Sequence, residues 1–486
     1  MSKSLLYIGG KYVDSLEGLT FKNFSPANGS KICDVSEAGA LDVESAVKSG
    51  QIAHRVWKGM DPSSRGAVLI RIADEIDKHG AELAALDSED AGRPILDCME
   101  DIHAASAMFR YFGGLADKIS GHTLPVQNDK LCYTKREPYG IVAAITAWNY
   151  PLFNAAAKIA PILAMGNSCI LKPAEEAPRT ALRLAEIIHA VDTVPDGLVN
   201  VINGLGETTG ALLANHCGVG KISFTGSTET GRKILHAAAD SNLKGAVLEL
   251  GGKGPFLIFA DAKLDMALNA VTFSVFYNQG QTCTAGTRLI VDKSIRDLVV
   301  KGLEERLGRV KIGLPQSEGT SVGPLASKEQ FEKVTHYLNL ATKEGVEPII
   351  KISVPEGLDK GYFVGPVVFE NLPADSPMRF DEIFGPILVL DTFSSEEDAL
   401  TMANDTKFGL SASIWTESLT RMISLSDEIQ AGIVWCNTAF AEHPGAPAGG
   451  YGHSGFGREY GTAAIEEYTK LKTVWIDKSG EFFAWP

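Results

Sequence analysis

The sequence lacks an excess of basic residues. Its 486 residues include 45 lysines and arginines against 60 aspartates and glutamates, which gives a formal net charge of -15. Proteins bind nucleic acids and anionic membrane surfaces through basic patches that displace counterions. We therefore predict neither a nucleic acid nor a membrane as partner, and we interpret the acidic surface as an aid to solubility.

Cysteine is scarce, and long apolar runs are missing. The 7 cysteines never occur in C-x-x-C spacing, which fits neither a disulfide framework nor a zinc site, so we expect a reducing compartment and no metal. The N-terminal stretch MSKSLLYIGGKYVDS has no basic segment leading into an apolar one. No stretch approaches the roughly 18 to 20 apolar residues of a membrane span. These absences predict a cytoplasmic protein.

Short apolar strands alternate with helical patterns from Gly140 onward, as in GIVAAITAW, SCILKPA, GLVNVI, KISFTGS and AVLELGG. This alternation is typical of a parallel sheet covered on both faces. A second α/β series follows Cys283, with RLIVDKS, FVGPVVFENL, GPILVLDTF and AGIVWCNT as strand patterns. Because one hydrophobic core does not grow to this length, we predict two or three domains, with a boundary near Gly251 and Gly252.

Three other segments have clear patterns. Asp61 to Gly92 carries apolar residues at helical spacing behind a Pro-Ser-Ser start, which predicts a structural helix or helix pair. SGHTLPVQNDKLCYTKREP and the tail EEYTKLKTVWIDKSGEFFAWP alternate polar and apolar residues, as exposed strands do. Because exposed strands need covering, we predict that these two stretches pair between subunits.

One cysteine, Cys283, stands among small and polar residues in YNQGQTCTAGTRL. A free cysteine is more often a packed thiol than a nucleophile, but a substrate can approach this turn. A thiolate that attacks a carbonyl forms an oxyanion, which needs a hydrogen-bond donor, and hydrolysis of the covalent intermediate needs a base. Activation of the thiol would require an accessible, electropositive setting.

Asn149 in TAWNYPL and Glu249 in LELGG are the candidates for the donor and the base. Both follow strands, and ligand crevices form at the carboxyl ends of strands in such folds. Each has an alternative interpretation. Asn149 would instead cap the following helix, and Glu249 would form a salt bridge at the end of its strand.

Two glycine-rich segments, GLGETTG and FTGSTETG, follow strands and open helices. Neither reads G-x-G-x-x-G, so the ordinary dinucleotide fingerprint is absent. A helix start can still hold a pyrophosphate through its N–H groups and dipole. Lys172 and Glu175 follow a third strand, where a lysine and a carboxylate can bind ribose hydroxyls while the carboxylate repels a 2'-phosphate.

Seven segments together resemble the NAD(P)-dependent aldehyde dehydrogenase superfamily over nearly the whole chain: AWNYPL, GNSCILKPAEEAP, FTGST, LELGGK, GQTCTAGTR, EIFGP and GGYGHSGFGRE. The resemblance implies an α/β fold with a Rossmann-like cofactor domain, an α/β catalytic domain and a small β oligomerisation arm. It puts the NAD-binding domain at 1–118 and 140–250, the catalytic domain at 251–450 and the arm at 119–139 and 463–486. It also implies a homo-oligomer, either a dimer or a tetramer.

The resemblance implies a mechanism. Cys283 would form a thiohemiacetal and then a thioester with an aldehyde substrate, and Asn149 with the Cys283 backbone N–H would bind the oxyanion. Glu249 would activate the water that hydrolyses the thioester, and its presence favours hydrolysis over transfer to coenzyme A. Lys158 and Glu459 match positions associated with proton relay.

The implied cofactor is NAD, with NADP as a second option, because Glu175 beside a 2'-phosphate would place like charges together. Lys172 and Glu175 match ligands of the adenosine ribose, Ser227 a pyrophosphate ligand, and Glu382 with Phe384 the nicotinamide-ribose site. The remaining cofactor positions implied by the resemblance are Thr146, Trp148, Gly206, Gly210 and Phe224.

The substrate segments look closest to the betaine-aldehyde and broad-substrate branches. The aromatic box that holds a trimethylammonium group maps to Tyr150 and Tyr277, and to Ala157 and Ala448 where the pattern usually has tryptophan. Each ring facing a cation contributes roughly 0.5 to 2 kcal/mol, so a medium or bulky, uncharged or aromatic aldehyde is predicted, with a betaine or amino aldehyde as the alternative. The expected substrate-binding residues are Tyr150, Phe153, Ala157, Tyr277, Thr282, Phe440 and Ala448.

Overall fold

Strands and helices alternate through residues 3–481, which are the residues that the computed structural model describes. Residues 1–2 of the predicted domain 1–118 and residues 482–486 of the predicted arm lie outside this described range. Within 3–481, no helix is both long enough and apolar enough to cross a membrane.

The strands form four sheets. In chain order they are β1 (Lys3–Ser4), β2 (Leu6–Ile8), β3 (Lys11–Val13), β4 (Thr20–Phe24), β5 (Lys31–Ser36), β6 (Thr123–Leu124), β7 (Lys130–Pro138), β8 (Ile141–Ile145), β9 (Ser168–Lys172), β10 (Val199–Val201), β11 (Lys221–Thr225), β12 (Gly245–Glu249), β13 (Pro255–Ile258), β14 (Arg288–Asp292), β15 (Ile350–Lys351), β16 (Val367–Glu370), β17 (Ile387–Phe393), β18 (Ser411–Trp415), β19 (Ile433–Cys436), β20 (Gly455–Phe456) and β21 (Thr469–Asp477).

The helices pack on the faces of the two large sheets. In chain order they are α1 (Ala40–Gly59), α2 (Pro62–Lys78), α3 (Gly80–Ala91), α4 (Ile95–Leu115), α5 (Pro151–Ala164), α6 (Arg179–His189), α7 (Ala211–Asn215), α8 (Thr228–Ser241), α9 (Leu264–Phe276), α10 (Arg296–Leu307), α11 (Lys328–Lys343), α12 (Pro377–Phe380), α13 (Glu396–Asn404), α14 (Leu419–Glu428) and α15 (Ala464–Tyr468). The helix pair predicted from Asp61 to Gly92 is confirmed as α2 and α3, and Asp61 caps α2 by accepting from the Ser64 N–H.

The first large sheet has the order β20-β12-β11-β8-β9-β10-β2-β3. Its five central strands are parallel, while β2, β3 and β20 run antiparallel to their neighbours. Every residue of β8 and β9 is buried, because one face packs against α2, α4, α5 and α6 and the other against α1, α7 and α8. The predicted parallel sheet covered on both faces is therefore present.

The second large sheet has the order β15-β16-β17-β14-β13-β18-β19 and is parallel except at β15. Helices α9 and α10 cover one face, and α13 and α14 cover the other. Four of its seven strands were predicted from sequence, but the edge strand β15 and the neighbouring strands β13 and β18 were not. The chain passes from β12 of the first sheet to β13 of the second through Gly251 and Gly252.

The predicted exposed strands form a separate antiparallel sheet in the order β21-β7-β6. Strand β21 pairs with β7 along its whole length, from Thr469 opposite Pro138 to Asp477 opposite Lys130. Large apolar side chains remain exposed on it, with Leu471 57% and Trp475 58% accessible. An exposed apolar strand surface of this kind favours burial against a partner. Pairing between subunits stays a prediction, and so do the domain boundaries.

Candidate active site

A cavity of about 950 Å³ opens where the carboxyl ends of the first sheet meet the Cys283 segment. Strand ends place Thr146, Lys172, Phe224 and Glu249 on its wall, because the chain leaves β8, β9, β11 and β12 at this edge. The predicted site residues that line it are Thr146, Trp148, Asn149, Tyr150, Phe153, Lys172, Glu175, Gly206, Phe224, Ser227, Glu249, Tyr277, Thr282, Cys283, Glu382, Phe384 and Phe440. Five predicted residues do not line it: Ala157, Lys158, Gly210, Ala448 and Glu459.

Cys283 is accessible from this cavity. Its side chain is partly exposed, whereas Cys33, Cys98, Cys132 and Cys169 are buried. Burial of the thiol raises the pKa of Cys283 well above its usual range, and the carboxylates of Glu382 and Glu249 raise it further. Activation of the thiol requires an electropositive setting, whereas the groups that shift this pKa by their charge are acidic and favour the protonated thiol.

Asn149 faces the Cys283 segment. Its Nδ2 donates to the carbonyl of Gln281 at 3.0 Å, and Asn278 Nδ2 donates back to the Asn149 carbonyl at 2.8 Å. Helix α5 begins at Pro151 without a side-chain cap, so Asn149 does not act as the helix cap of the alternative interpretation. The amide has a second N–H, which is free to bind an oxyanion near Cys283.

Glu249 is the last residue of β12 and makes no ion pair within residues 3–481. Its Oε1 has no hydrogen-bond partner within that range. Burial raises the pKa of Glu249 well above its ordinary value, and the neighbouring charge of Glu459 raises it further, while Lys158 opposes the shift. The raised pKa favours the protonated form of this carboxyl group, which becomes available as a base within the cavity as the pH rises.

Lys158 and Glu459 lie behind the cavity wall as a buried ion pair. Lys158 Nζ is 2.5 Å from Glu459 Oε1 and 3.0 Å from Ser223 Oγ. The hydroxyl of Tyr468 donates to the same Ser223 oxygen at 3.0 Å. The pair contacts no cavity surface, so it acts on Glu249 through charge.

The cofactor residues gather at the ends of β9, β11 and β12. Lys172 Nζ lies 3.0 Å from Glu175 Oε2, and although burial raises the pKa of Glu175, the Lys172 charge lowers it below its ordinary value overall. Ser227 caps α8, accepting from the Thr230 N–H at 3.1 Å, and so places the helix N-terminus on the cavity. Gly206 leaves open space beside this group, since a Cβ there would meet nothing within 4 Å.

Glu382 and Phe384 complete this part of the wall. Glu382 Oε1 accepts from the Gly252 N–H at 2.8 Å, and a Cβ on Gly251 would lie 2.1 Å from Glu382 Oε2. Phe384 has a φ of 61° and its ring stands edge-on to Trp148 at 5.3 Å. A charged pair, a helix N-terminus and a glycine-lined wall fit an extended dinucleotide.

Aromatic rings line the remainder of the cavity. Tyr277 packs against Phe273 at 4.6 Å and Phe440 at 6.0 Å, and Tyr150 donates to or accepts from Thr282 Oγ1 at 2.6 Å. Ala157 is buried inside α5, and Ala448 pairs through its backbone with Glu459. Neither alanine lines the cavity, and neither supplies an aromatic ring, so the argument against a quaternary ammonium substrate stays a prediction.

Several cavity residues were missed from sequence: Glu100, Asp101, Phe273, Glu442 and Tyr460. Phe273 lies one helical turn before Tyr277, a spacing that could have identified it. Glu100, Asp101 and Glu442 lie in no local sequence pattern that identifies them as site residues. Desolvation raises the pKa of Glu442 to about 7, and the charge of Asp101 adds to the shift.

A family model and several solved structures match nearly the whole chain. Residues 12–474 match the family model described as the aldehyde dehydrogenase family. PnpE from Pseudomonas sp. WBC-3 is 40% identical, with a TM-score of 0.96 and 99% of each chain covered, and its complex with nicotinamide adenine dinucleotide is known. The indole-3-acetaldehyde dehydrogenase AldA of P. syringae is 35% identical, with a TM-score of 0.95 and 98% of this chain and 97% of that chain covered. Betaine aldehyde dehydrogenase of Staphylococcus aureus is 33% identical, with a TM-score of 0.95 and 99% of each chain covered.

Proposed function

This chain belongs to the aldehyde dehydrogenase family, and on that premise we propose that it oxidises an aldehyde to a carboxylic acid through a covalent bond to Cys283. The observation that carries the proposal is the partly exposed Cys283 thiol in a cavity that also contains the Asn149 amide and the Glu249 carboxyl group.

The first step is attack by Cys283 Sγ on the aldehyde carbon. The sulfur–carbon bond forms as the carbonyl oxygen gains negative charge, which the free N–H of Asn149 and the backbone N–H of Cys283 stabilise. Since burial raises the pKa of the Cys283 thiol, the thiol proton must leave before or during this step, and we assign it to solvent in the cavity rather than to Glu249.

NAD is the cofactor supported by the solved complexes of relatives and by the cavity wall. Lys172 and Glu175 would hold a ribose, the N-terminus of α8 at Ser227 would hold phosphate, and Glu382 would hold the second ribose. When bound, NAD supplies the acceptor for the two electrons that leave the aldehyde carbon. The charged Glu175 carboxylate disfavours a 2'-phosphate there.

Hydrolysis then releases the acid. Glu249 removes a proton from water, the water oxygen attacks the thioester carbon, and the carbon–sulfur bond breaks to return Cys283. The unpartnered Oε1 of Glu249 leaves an acceptor for that water. The charges of Lys158 and Glu459 behind the wall set how readily Glu249 gives up its own proton.

The substrate that the cavity fits is a medium or bulky, uncharged or aromatic aldehyde. Tyr150, Phe153, Phe273, Tyr277 and Phe440 supply an apolar, aromatic wall that packs well against such a group.

An amino aldehyde is the second candidate, because Glu100, Asp101 and Glu442 also line this cavity. Negative groups attract a cationic substrate and repel one that carries a carboxylate. A quaternary ammonium is less favoured, because Arg93 already lies 4.3 Å from the centre of the Tyr150 ring and occupies one face of it.

The test follows NADH formation with benzaldehyde, hexanal, aminobutyraldehyde, betaine aldehyde and succinic semialdehyde. Wild type, C283A and the matched control C217S, which changes an exposed cysteine, are assayed in parallel. We expect activity in wild type and C217S, none in C283A, and the highest kcat/KM for benzaldehyde or hexanal. Activity that survives in C283A would overturn the proposed nucleophile, and a highest kcat/KM for aminobutyraldehyde would make the second candidate the substrate class.

A further inference from the structure

Arg93 is a fully buried arginine at the turn between α3 and α4, with 0% of its surface accessible. Burying a guanidinium is unfavourable unless its hydrogen bonds and charge are satisfied. Arg93 Nη1 pairs with Asp101, yet its Nη2 has no hydrogen-bond partner within residues 3–481. A role limited to ion pairing with Asp101 does not account for the other contacts of this side chain.

Those contacts reach the two segments that carry the proposed nucleophile and oxyanion donor. Arg93 Nε donates to Asn278 Oδ1 at 3.2 Å, five residues before Cys283. The same guanidinium lies 4.3 Å from the centre of the Tyr150 ring, and Tyr150 directly follows Asn149. One planar group therefore touches both segments at once.

Asn278 and Tyr150, which Arg93 contacts, each form hydrogen bonds between the Asn149 segment and the Cys283 segment. Asn278 has a φ of 49°, in the left-handed region, and its Nδ2 donates to the carbonyls of Asn149 at 2.8 Å and Gln281 at 3.3 Å. Tyr150 shares a hydrogen bond of 2.6 Å with Thr282 Oγ1, beside Cys283. Both contacts tie the Asn149 segment to the Cys283 segment, and both depend on a side chain that Arg93 holds.

We infer that Arg93 is a positioning residue, which holds Asn278 and Tyr150 so that the Asn149 amide and the Cys283 thiol face the same point in the cavity. This inference rests on the proposed function, since it assigns those two groups their roles. Arginine suits the task because its planar fork can pair, donate and stack at the same time, whereas a lysine ammonium offers charge without the fork or the flat surface.

The test compares R93K with R179K. Arg179 also pairs with a buried aspartate, Asp90, at 2.6 Å, but Arg179 does not line the cavity. Each variant is assayed for aldehyde oxidation and for release of nitrophenolate from nitrophenyl acetate without NAD. In the second reaction the Cys283 sulfur–acyl bond forms and the ester carbon–oxygen bond breaks, so it depends on positioning and not on the cofactor.

We expect R93K to lose about tenfold to a hundredfold in kcat in both reactions, because small misplacements of reacting groups carry losses of that size. The KM for NAD should be the same in R93K and wild type, and R179K should match wild type in both reactions. If R93K reacts as fast as R179K in both reactions, the positive charge at residue 93 is sufficient for activity without the guanidinium contacts, and the inference is overturned. If wild type itself performs neither reaction, the proposed function fails instead.

If circular dichroism shows that R93K does not fold, the test instead compares R93Q/D101N with D101N. Residue 101 is the same in both proteins, so a difference between them reports the contacts of Arg93 to Asn278 and Tyr150. A lower kcat in the double variant supports the inference, and an equal kcat overturns it.

Discussion

Lys158 and Glu459 form an ion pair 2.5 Å long whose side chains are only 1% and 8% exposed. The two residues are far apart in sequence, and the pair joins helix α5 to the segment after β20. Lys158 also contacts Ser223 of β11, so the pair connects α5, β11 and the segment after β20 near Glu249.

Removing the lysine should destabilise the fold. K158M leaves the Glu459 carboxylate buried without its partner, and breaking a buried pair in this way costs about 3–5 kcal/mol. The matched control is K233M, which breaks the exposed pair with Glu229, 74% and 78% accessible, and should change little. Urea unfolding measures both variants, and equal free energies of unfolding for K158M and K233M would contradict the role assigned to the buried pair.

Glu249 should govern hydrolysis of the thioester. E249Q removes the base but leaves Cys283 and Asn149 in place, so a first turnover should still produce NADH while the steady-state rate falls by about a hundredfold to ten-thousandfold. Rapid-mixing measurements of NADH separate the two phases. A steady-state rate equal to that of wild type would show that another group activates the water.

The pH dependence of hydrolysis follows from the same residue. The raised pKa of Glu249 means that its carboxylate, the form that acts as a base, becomes more populated as the pH rises. The steady-state rate of wild type should therefore increase as the pH rises through the raised pKa of Glu249. A flat pH profile in wild type would argue that Glu249 is not the base.

Glu175 should set the preference between NAD and NADP. E175Q removes the negative charge that repels a 2'-phosphate, so kcat/KM with NADP should rise by about tenfold, which corresponds to about 1.4 kcal/mol of relieved repulsion. The control E207Q removes an exposed charge in the nearby Gly206–Gly210 turn. Initial rates with each cofactor give the ratio, and the same NADP rate in E175Q and E207Q would rule out a specific effect of Glu175.

Gly251 should tolerate no side chain. A Cβ there would meet Glu382 Oε2 at 2.1 Å, so G251A should displace Glu382 from its hydrogen bond to Gly252 and weaken NAD binding. The control is G114A, on α4, where an added Cβ meets nothing within 4 Å and should stabilise the helix by up to about 1 kcal/mol. Calorimetric titration with NAD compares them, and wild-type affinity in G251A would contradict the expected displacement.

Much of this site could be predicted because its candidate reactive residues lie in short sequence motifs. The family match over residues 12–474 confirms the predicted family and fold class. Asn149 and Glu249 come directly after predicted strands, and parallel strands bring such residues to one edge of a sheet. Cys283 stood out by its small polar neighbours, and the cavity contains all three.

The remainder depends on packing that no short segment encodes. Ala157 and Ala448 were placed by analogy with a family position, but burial inside α5 and backbone pairing with Glu459 keep both out of the cavity. Glu100 and Asp101 enter the site only because α4 packs against α5. Arg93 looks like an ordinary turn residue in the sequence, and only its burial in the folded chain reveals its contacts.

Strand β20 has a consequence for synthesis of the protein. Leu248 and Glu249 pair with Phe456 and Gly455, and Glu459, which shifts the pKa of Glu249, follows in the same late segment. A ribosome that has translated as far as residue 450 has already made Cys283, Asn149 and Glu249, but not the segment that sets the environment of the base. A chain that ends before β20 should therefore lack the native environment of Glu249, and we expect normal hydrolytic turnover only after the segment from Gly455 to Glu459 has been made.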